Sequence, residues 1–238
     1  MRPALTLRGI RNGAVVMAAA LMSACAPDAP PSGATPPTSE HSVGDPLQSL
    51  PKNYKLEFEN DHVKVVRVHY DAASTLPEHI HPAGSTVFIY LNENEKVIFT
   101  HALTGGEAPL IRPPVKPGGV RFATSHEEHH IMENPSPTPS DFIRVLVKTD
   151  SVDLGPAVRR RVALSEQEYS NKQLRITRPP FQAGRPLELK PSDFPSLIVA
   201  WPSGRHHWFD AGAPVSIATD APDTAGFVRI EMLTPPLK

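Results

Sequence analysis

A single cysteine, Cys25, stands in a chain of 238 residues. That excludes an internal disulfide framework and a cysteine-ligated zinc site. An excess of one charge is also missing: 24 basic residues against 25 acidic ones leave a net charge of -1. No electrostatic footprint for nucleic acid follows from such a balance. No apolar run reaches the roughly 18 residues of a membrane-spanning helix. A G-x-S-x-G nucleophile elbow and a nucleotide-binding glycine motif are both absent. Proline, by contrast, is abundant: 28 residues, about 12%, against a usual share of about 5%. So much proline argues against a helical bundle and for strands, turns and a stiff linker. With 39% hydrophobic and 21% charged residues, the bulk of the chain builds one or two packed domains.

The first segment reads as an address. Arg2, Arg8 and Arg11 precede an apolar stretch over residues 13–24, and no acidic residue interrupts them. A positive region, an apolar region and then small residues are the layout of a secretory signal. Cys25 follows Leu21-Met22-Ser23-Ala24, which resembles the bacterial lipoprotein signal; an ordinary signal with an incidental cysteine is the alternative. The resemblance implies removal of residues 1–24 and acylation of Cys25. Because Ala26 rather than an aspartate follows, it further implies a lipid anchor on the periplasmic side of the outer membrane. The mature chain would carry 21 basic and 25 acidic residues, a charge of -4. Residues 25–51 hold Pro27, Pro30, Pro31, Pro36, Pro37, Pro46 and Pro51 without apolar periodicity, the composition of a disordered, Pro-rich tether.

Beyond the tether the sequence is mostly strand. Residues 63–68, 86–91, 96–100, 119–123, 129–133 and 142–148 are β-branched and aromatic runs bounded by turn residues. Many short strands at close spacing predict an all-β sandwich or barrel. One short helix is expected around residues 165–173, with Ser165 and Glu168 as its capping box. The chain also echoes itself in order. Val66-Arg67-Val68 returns as Leu174-Arg175-Ile176, and Phe142-Ile143-Arg144-Val145 as Phe227-Val228-Arg229-Ile230. Between these, Leu76-Pro77-Glu78-His79-Ile80-His81-Pro82 is matched by Arg185-Pro186-Leu187-Glu188-Leu189-Lys190-Pro191. Repetition in fixed order predicts a duplicated unit. The first copy spans residues 52–150 and the shorter, degenerate second copy residues 171–238, joined by a linker over 151–170. Arg159-Arg160-Arg161 reads as a solvated run in that linker, and Trp201 and Trp208 as packing residues of the second copy.

Eight of the eleven histidines fall between His62 and His130. His79-Ile80-His81 is the informative pair, because alternate residues of a strand share a face at about 6.6 Å. Two imidazoles so placed can converge on one ion, and a neighbouring strand must supply a third from His126, His129 or His130. His206-His207 reads as surface or barrel rim.

H-x-H after a proline turn, then Pro117-Gly118-Gly119, then His130-Ile131-Met132-Glu133-Asn134, resembles the two motifs of the cupin family. Phe58-Glu59-Asn60-Asp61-His62-Val63 before them and Asp141-Phe142-Ile143-Arg144-Val145 after them fit too. The resemblance implies a jelly-roll barrel, here a tandem one, with a divalent metal ion (Zn, Fe, Ni or Cu) on His79, His81 and His130. Their ring nitrogens are then expected within about 4 Å of one another. The family's usual glutamate, four or five residues past the second histidine, is replaced by Ser85 and Thr86. Strand alternation turns Glu78 and His129 away from the ion and puts Glu128 and Met132 on His130's face. Glu128 is thus the candidate catalytic residue, as a base or an orienting group. Two function classes remain: a metal-dependent enzyme acting on a small polar organic compound, and a non-catalytic module that binds or senses a small molecule or metal.

Overall fold

The computed structural model describes residues 43–101, 108–149, 159–162, 168–219 and 223–237. The signal segment, Cys25 and the tether up to residue 42 lie outside the described residues, as do linker residues 150–158 and 163–167. A short helix, α1 (Pro46–Ser49), leads into nine strands: β1 (Tyr54–Glu59), β2 (Val63–Tyr70), β3 (Ser74–His81), β4 (Gly84–Tyr90), β5 (Val97–His101), β6 (Leu110–Arg112), β7 (Val120–Ser125), β8 (Glu128–Asn134) and β9 (Ser140–Val147). β10 (Arg159–Val162) stands alone between the halves. The second half holds β11 (Glu168–Ser170), β12 (Leu174–Thr177), β13 (Leu187–Leu189), β14 (Ser196–Pro202), β15 (His206–Phe209), β16 (Val215–Ile217) and β17 (Thr224–Met232). Each of the six strands expected from β-branched runs is present.

The first half is a jelly roll of two antiparallel sheets, ordered β1-β2-β9-β4-β7-β10 and β3-β8-β5-β6. Alternation along β2 explains how one strand serves two cores. Val66, Val68 and Tyr70 point between these sheets, where Phe88, Phe99 and Met132 meet them. Val63 and Val65 point outward into a second core, shared with Leu174, Leu197, Val228 and Ile230 of the other half. The large sheets of the two halves therefore pack on each other through side chains fully removed from water, each contributing about 1.5–3 kcal/mol.

The second half repeats the first. Its main sheet runs β11-β12-β17-β14-β15, the order of β1-β2-β9-β4-β7, and β13-β16 stands for β3-β8. β5 and β6 have no counterpart: β14 turns directly into β15. Their loss accounts for the shortening seen in the sequence repeat. Glu188 and Lys190, at the positions of the two histidines, are exposed, while Leu187 fills the small core of this half.

Three local expectations are corrected. Packed structure begins before residue 51. Asp45 caps α1 by accepting the Leu47 N–H at 2.9 Å, Pro46 occupies the first turn and is buried, and the Ile80 N–H donates to Gly44 O at 3.1 Å. The helix expected over residues 165–173 does not form at its described residues. Glu168–Ser170 pairs antiparallel with β12, and Asn171 Oδ1 accepts the N–H groups of Gln173 and Leu174, turning the chain between the two strands. Ladder bonds to β12 thus replace the capping box. Lastly, Arg159–Val162 of the expected linker is an edge strand on β7.

Trp201 wedges between the halves. A Cβ added at Gly118 would lie 2.5 Å from its ring, and one at Gly226 2.8 Å from it. Gly118 also has φ 73°, where L side chains are strained. Gly118→Ala is accordingly expected to destabilise the fold by about 1–3 kcal/mol, read as a lowered thermal midpoint.

Candidate metal centre

Proline positions the histidines. β3 carries a register shift between Leu76 and His79, where Pro77 breaks the ladder against β8. The extra residue rephases the strand: Leu76 faces inward before the bulge, and His79 and His81 face inward after it. Across the ladder, His79 pairs with His130 and His81 with Glu128. Alternation on β8 then buries His130 and Met132 and exposes Ile131.

The three histidines are 0%, 5% and 2% exposed for His79, His81 and His130. Their ring centroids lie 4.9, 4.7 and 5.0 Å apart. One nitrogen from each lies within 4.8 Å of the others, a looser bound than the expected one. With metal–nitrogen distances of about 2.0–2.1 Å, the three nitrogens would have to draw closer than this bound to share one ion. Of the three candidates for the third ring, His130 alone joins the pair. His126 is exposed, and His129 turns outward to Glu127 at 2.9 Å and Glu78 at 4.0 Å. His206 lies at the seam between the halves, 3.6 Å from Glu57, and His207 beside it is exposed.

Hydrogen bonds fix the proton on His79. Its Nδ1 donates to Pro77 O at 2.8 Å, so Nε2 keeps a lone pair and accepts from the Tyr54 hydroxyl at 3.0 Å. A backbone carbonyl holding one ring N–H is the usual support for a ligating histidine. Both ring nitrogens of His130 are sealed from solvent and make no hydrogen bond within the described residues. Such an orphaned buried pair is costly to leave without a partner. Three neutral imidazoles, one of them otherwise unsatisfied, therefore fit a divalent ion.

Burial is the main reason these rings stay neutral. It lowers His79, holds His81 well below its usual value with Arg144 assisting, and pushes His130 from 6.5 to about 2. The unfolded chain takes up protons below about pH 6.5, whereas the folded rings do not. Stability contributed by these groups is thus present above that pH and lost as the pH falls toward the folded values. His69 acts oppositely, raised by its hydrogen bond to Asp141, but it is one partly exposed ring against three buried ones. The thermal midpoint of metal-stripped protein is expected to drop between pH 7 and 5, and the drop to shrink in His130→Phe.

Three residues escaped the sequence reading. Arg144, inward on β9, donates from Nη1 to His81 Nδ1, and its Nε is sealed without a hydrogen bond. An arginine among the apolar residues of a central strand was its signal, there taken only as a landmark of the repeat. His101 pairs with His130 across β5 and β8, and a second set of close donors comprises His101, Glu128 and His130. Glu128 is half-buried on His130's side, as alternation predicts. Tyr54 had no signal, since β1 is too polar to stand out. Where the family's glutamate is missing, Thr86 is buried on the strand face of Phe88 and Tyr90.

No family model and no curated protein matches the chain. Solved structures do. The bacterial pirin YhhW from Escherichia coli, in complex with nickel(II), matches with a TM-score of 0.51 at 13% identity over 76% of this chain and 90% of that one. The fold is a cupin jelly roll. Vicilin from tomato (Solanum lycopersicum) matches with a TM-score of 0.48 at 9% identity, over 72% of this chain and 75% of that one. A quercetin 2,3-dioxygenase from Acinetobacter baumannii gives 0.45 at 12% identity over 75% and 70%. At such identities the likeness concerns the fold. The histidine cluster sits between the two sheets of this cupin barrel, on the β3–β8 ladder.

Proposed function

We propose that the protein is a lipid-anchored periplasmic cupin that holds one divalent metal ion on His79, His81 and His130 and acts on a small polar organic compound. The observation that carries the reading is His130, buried against the other two rings with neither nitrogen hydrogen-bonded among the described residues. The nickel-bound pirin of the same fold supports a divalent ion. When bound, such an ion supplies Lewis acidity to a carbonyl or enolate oxygen.

The chain's own groups do the rest. The Pro77 carbonyl holds the His79 proton on Nδ1. Burial, with Tyr70 beside it, keeps the Tyr54 phenol well above its usual value, so Tyr54 stays a neutral donor. Glu128, close to His130, accepts a proton from the bound compound. A second reading, capture without turnover, is favoured by Arg144, a cation that donates directly to one of the three rings.

Elemental analysis of the purified soluble form, followed by a turnover screen on small polar compounds, tests both. One tightly held ion per chain with turnover is the expected result. Bound ion without turnover leaves the capture reading, and no ion after loading with zinc, iron, nickel or copper sinks both.

A further inference from the structure

Beside His81, between α1 and the barrel, lies a chamber of about 40 Å³, lined among others by Tyr54, Lys64, His81, Arg144 and the α1 residue Leu47. At roughly 10–15 Å³ per water-sized atom, it admits about three such atoms, the size of a carboxylate group. Its chemistry has the same sense. The Arg144 guanidinium carries only donors, and its Nε has no acceptor among the described residues. A half-buried cation with a sealed Nε gains from a compensating anion. Lys64 adds a second positive charge and spends little of it on Glu59, 3.9 Å away at the surface. Arg112, stacked over Phe99 at 4.2 Å, adds a third within the barrel. Two carboxylates are near. Asp45 faces the chamber, but its Oδ1 caps α1, and the charge of Glu128 reaches Arg144 from the ligand side.

Hydrogen-bond logic sharpens the point. Because Arg144 donates to His81 Nδ1, the neutral His81 ring holds its proton on Nε2. Neither nitrogen is then ready to ligate an ion. Nδ1 becomes available only when Arg144 leaves, and Nε2 only when the proton moves to Nδ1. In either case Arg144 loses its acceptor, and in the second case two donors face each other. An oxyanion between them satisfies both.

We propose that this chamber is an oxyanion subsite, which takes the carboxylate of a small organic acid on the Arg144 guanidinium. The hydrogen-bond argument rests on the metal reading above, whereas the charge and size of the chamber do not.

The test uses acetate and its neutral isostere acetamide as probes, followed by NMR on metal-stripped and zinc-loaded protein, with zinc content measured in parallel. Acetate is expected to bind saturably and acetamide at least tenfold more weakly. Arg144→Met should weaken acetate at least tenfold. Equal binding of the two probes, or acetate binding unaltered by Arg144→Met, overturns the subsite. Should Arg144→Met fail to fold, Leu47→Trp fills the chamber with Arg144 in place and must abolish acetate binding; unaltered binding there overturns the proposal equally. Acetate binding to a protein that refuses zinc removes the histidine reading and leaves the subsite standing. Zinc binding without acetate binding does the reverse.

Discussion

Replacing His130 with alanine is expected to strip the protein of its metal, lowering affinity by at least about 100-fold, more than loss of a supporting group costs. His130 is the cleanest of the three positions to change. It makes no hydrogen bond among the described residues, so its removal leaves no donor or acceptor stranded. His79→Ala, by contrast, also removes the partner of Pro77 O and one of the two partners of the Tyr54 hydroxyl, and His81→Ala frees Arg144. The double variant His79→Ala/His81→Ala should hold no ion at all. His206→Ala and His207→Ala, at the seam and the surface, should load like the parent. Metal content and calorimetric titration, with circular dichroism as the check on folding, read the whole series. Undiminished metal in the double variant would reject the site.

Why the site was so largely legible is a matter of periodicity. His79 and His81 share a face at any register, so the pair could be recognised without knowing the fold. Which face was not legible, because a strand of β3's composition without a bulge puts Leu76, Glu78 and Ile80 on one side and the histidines on the other. Pro77 decides it, by breaking the ladder two residues before the pair is needed inside. The choice among His126, His129 and His130 needed the β8 register, which the resemblance to cupin motifs supplied and β-propensity alone did not. Arg144 was out of reach for another reason: its meaning depends on β9 lying between β2 and β4, a long-range pairing with no local trace.

The fold follows the same division. Strands built from β-branched runs were plain, since local preference and burial agree in them. α1 and β11 were misjudged, because each is four residues or fewer and is held by contacts distant in sequence. Gly44, just before α1, bonds to the β3 residue Ile80, and β11 pairs as an edge on β12. The repeat, by contrast, was visible in three short echoes, and the sheet orders give it a physical basis. Each echo falls on a strand of equivalent position, β2 with β12, β3 with β13 and β9 with β17. Divergence between the copies is concentrated where the second lacks β5, which pairs with β8 in the first, and β6 beyond it. A copy without them cannot enclose an interior of the same size, which agrees with Leu187 replacing a ligand face by apolar filling.

Cys25→Ala is expected to move the protein from the membrane fraction to the soluble fraction, with a mass that lacks acyl chains. The proposal stands on the lone cysteine following Ser23-Ala24 at the end of an apolar stretch that three arginines precede. Two or more acyl chains, at about 0.8 kcal/mol for each buried CH₂, hold a protein on a bilayer where one chain binds only reversibly. Residues 26–42 separate that cysteine from the first described residue, Val43, and at roughly 3.3–3.6 Å per residue they reach at most about 60 Å. An anchor at Cys25 would therefore keep the barrel within that distance of the membrane surface. Metal loading in Cys25→Ala should equal that of the parent, because every ligand lies in the barrel. Membrane retention that survives the substitution would refute the anchor and leave the metal centre untouched.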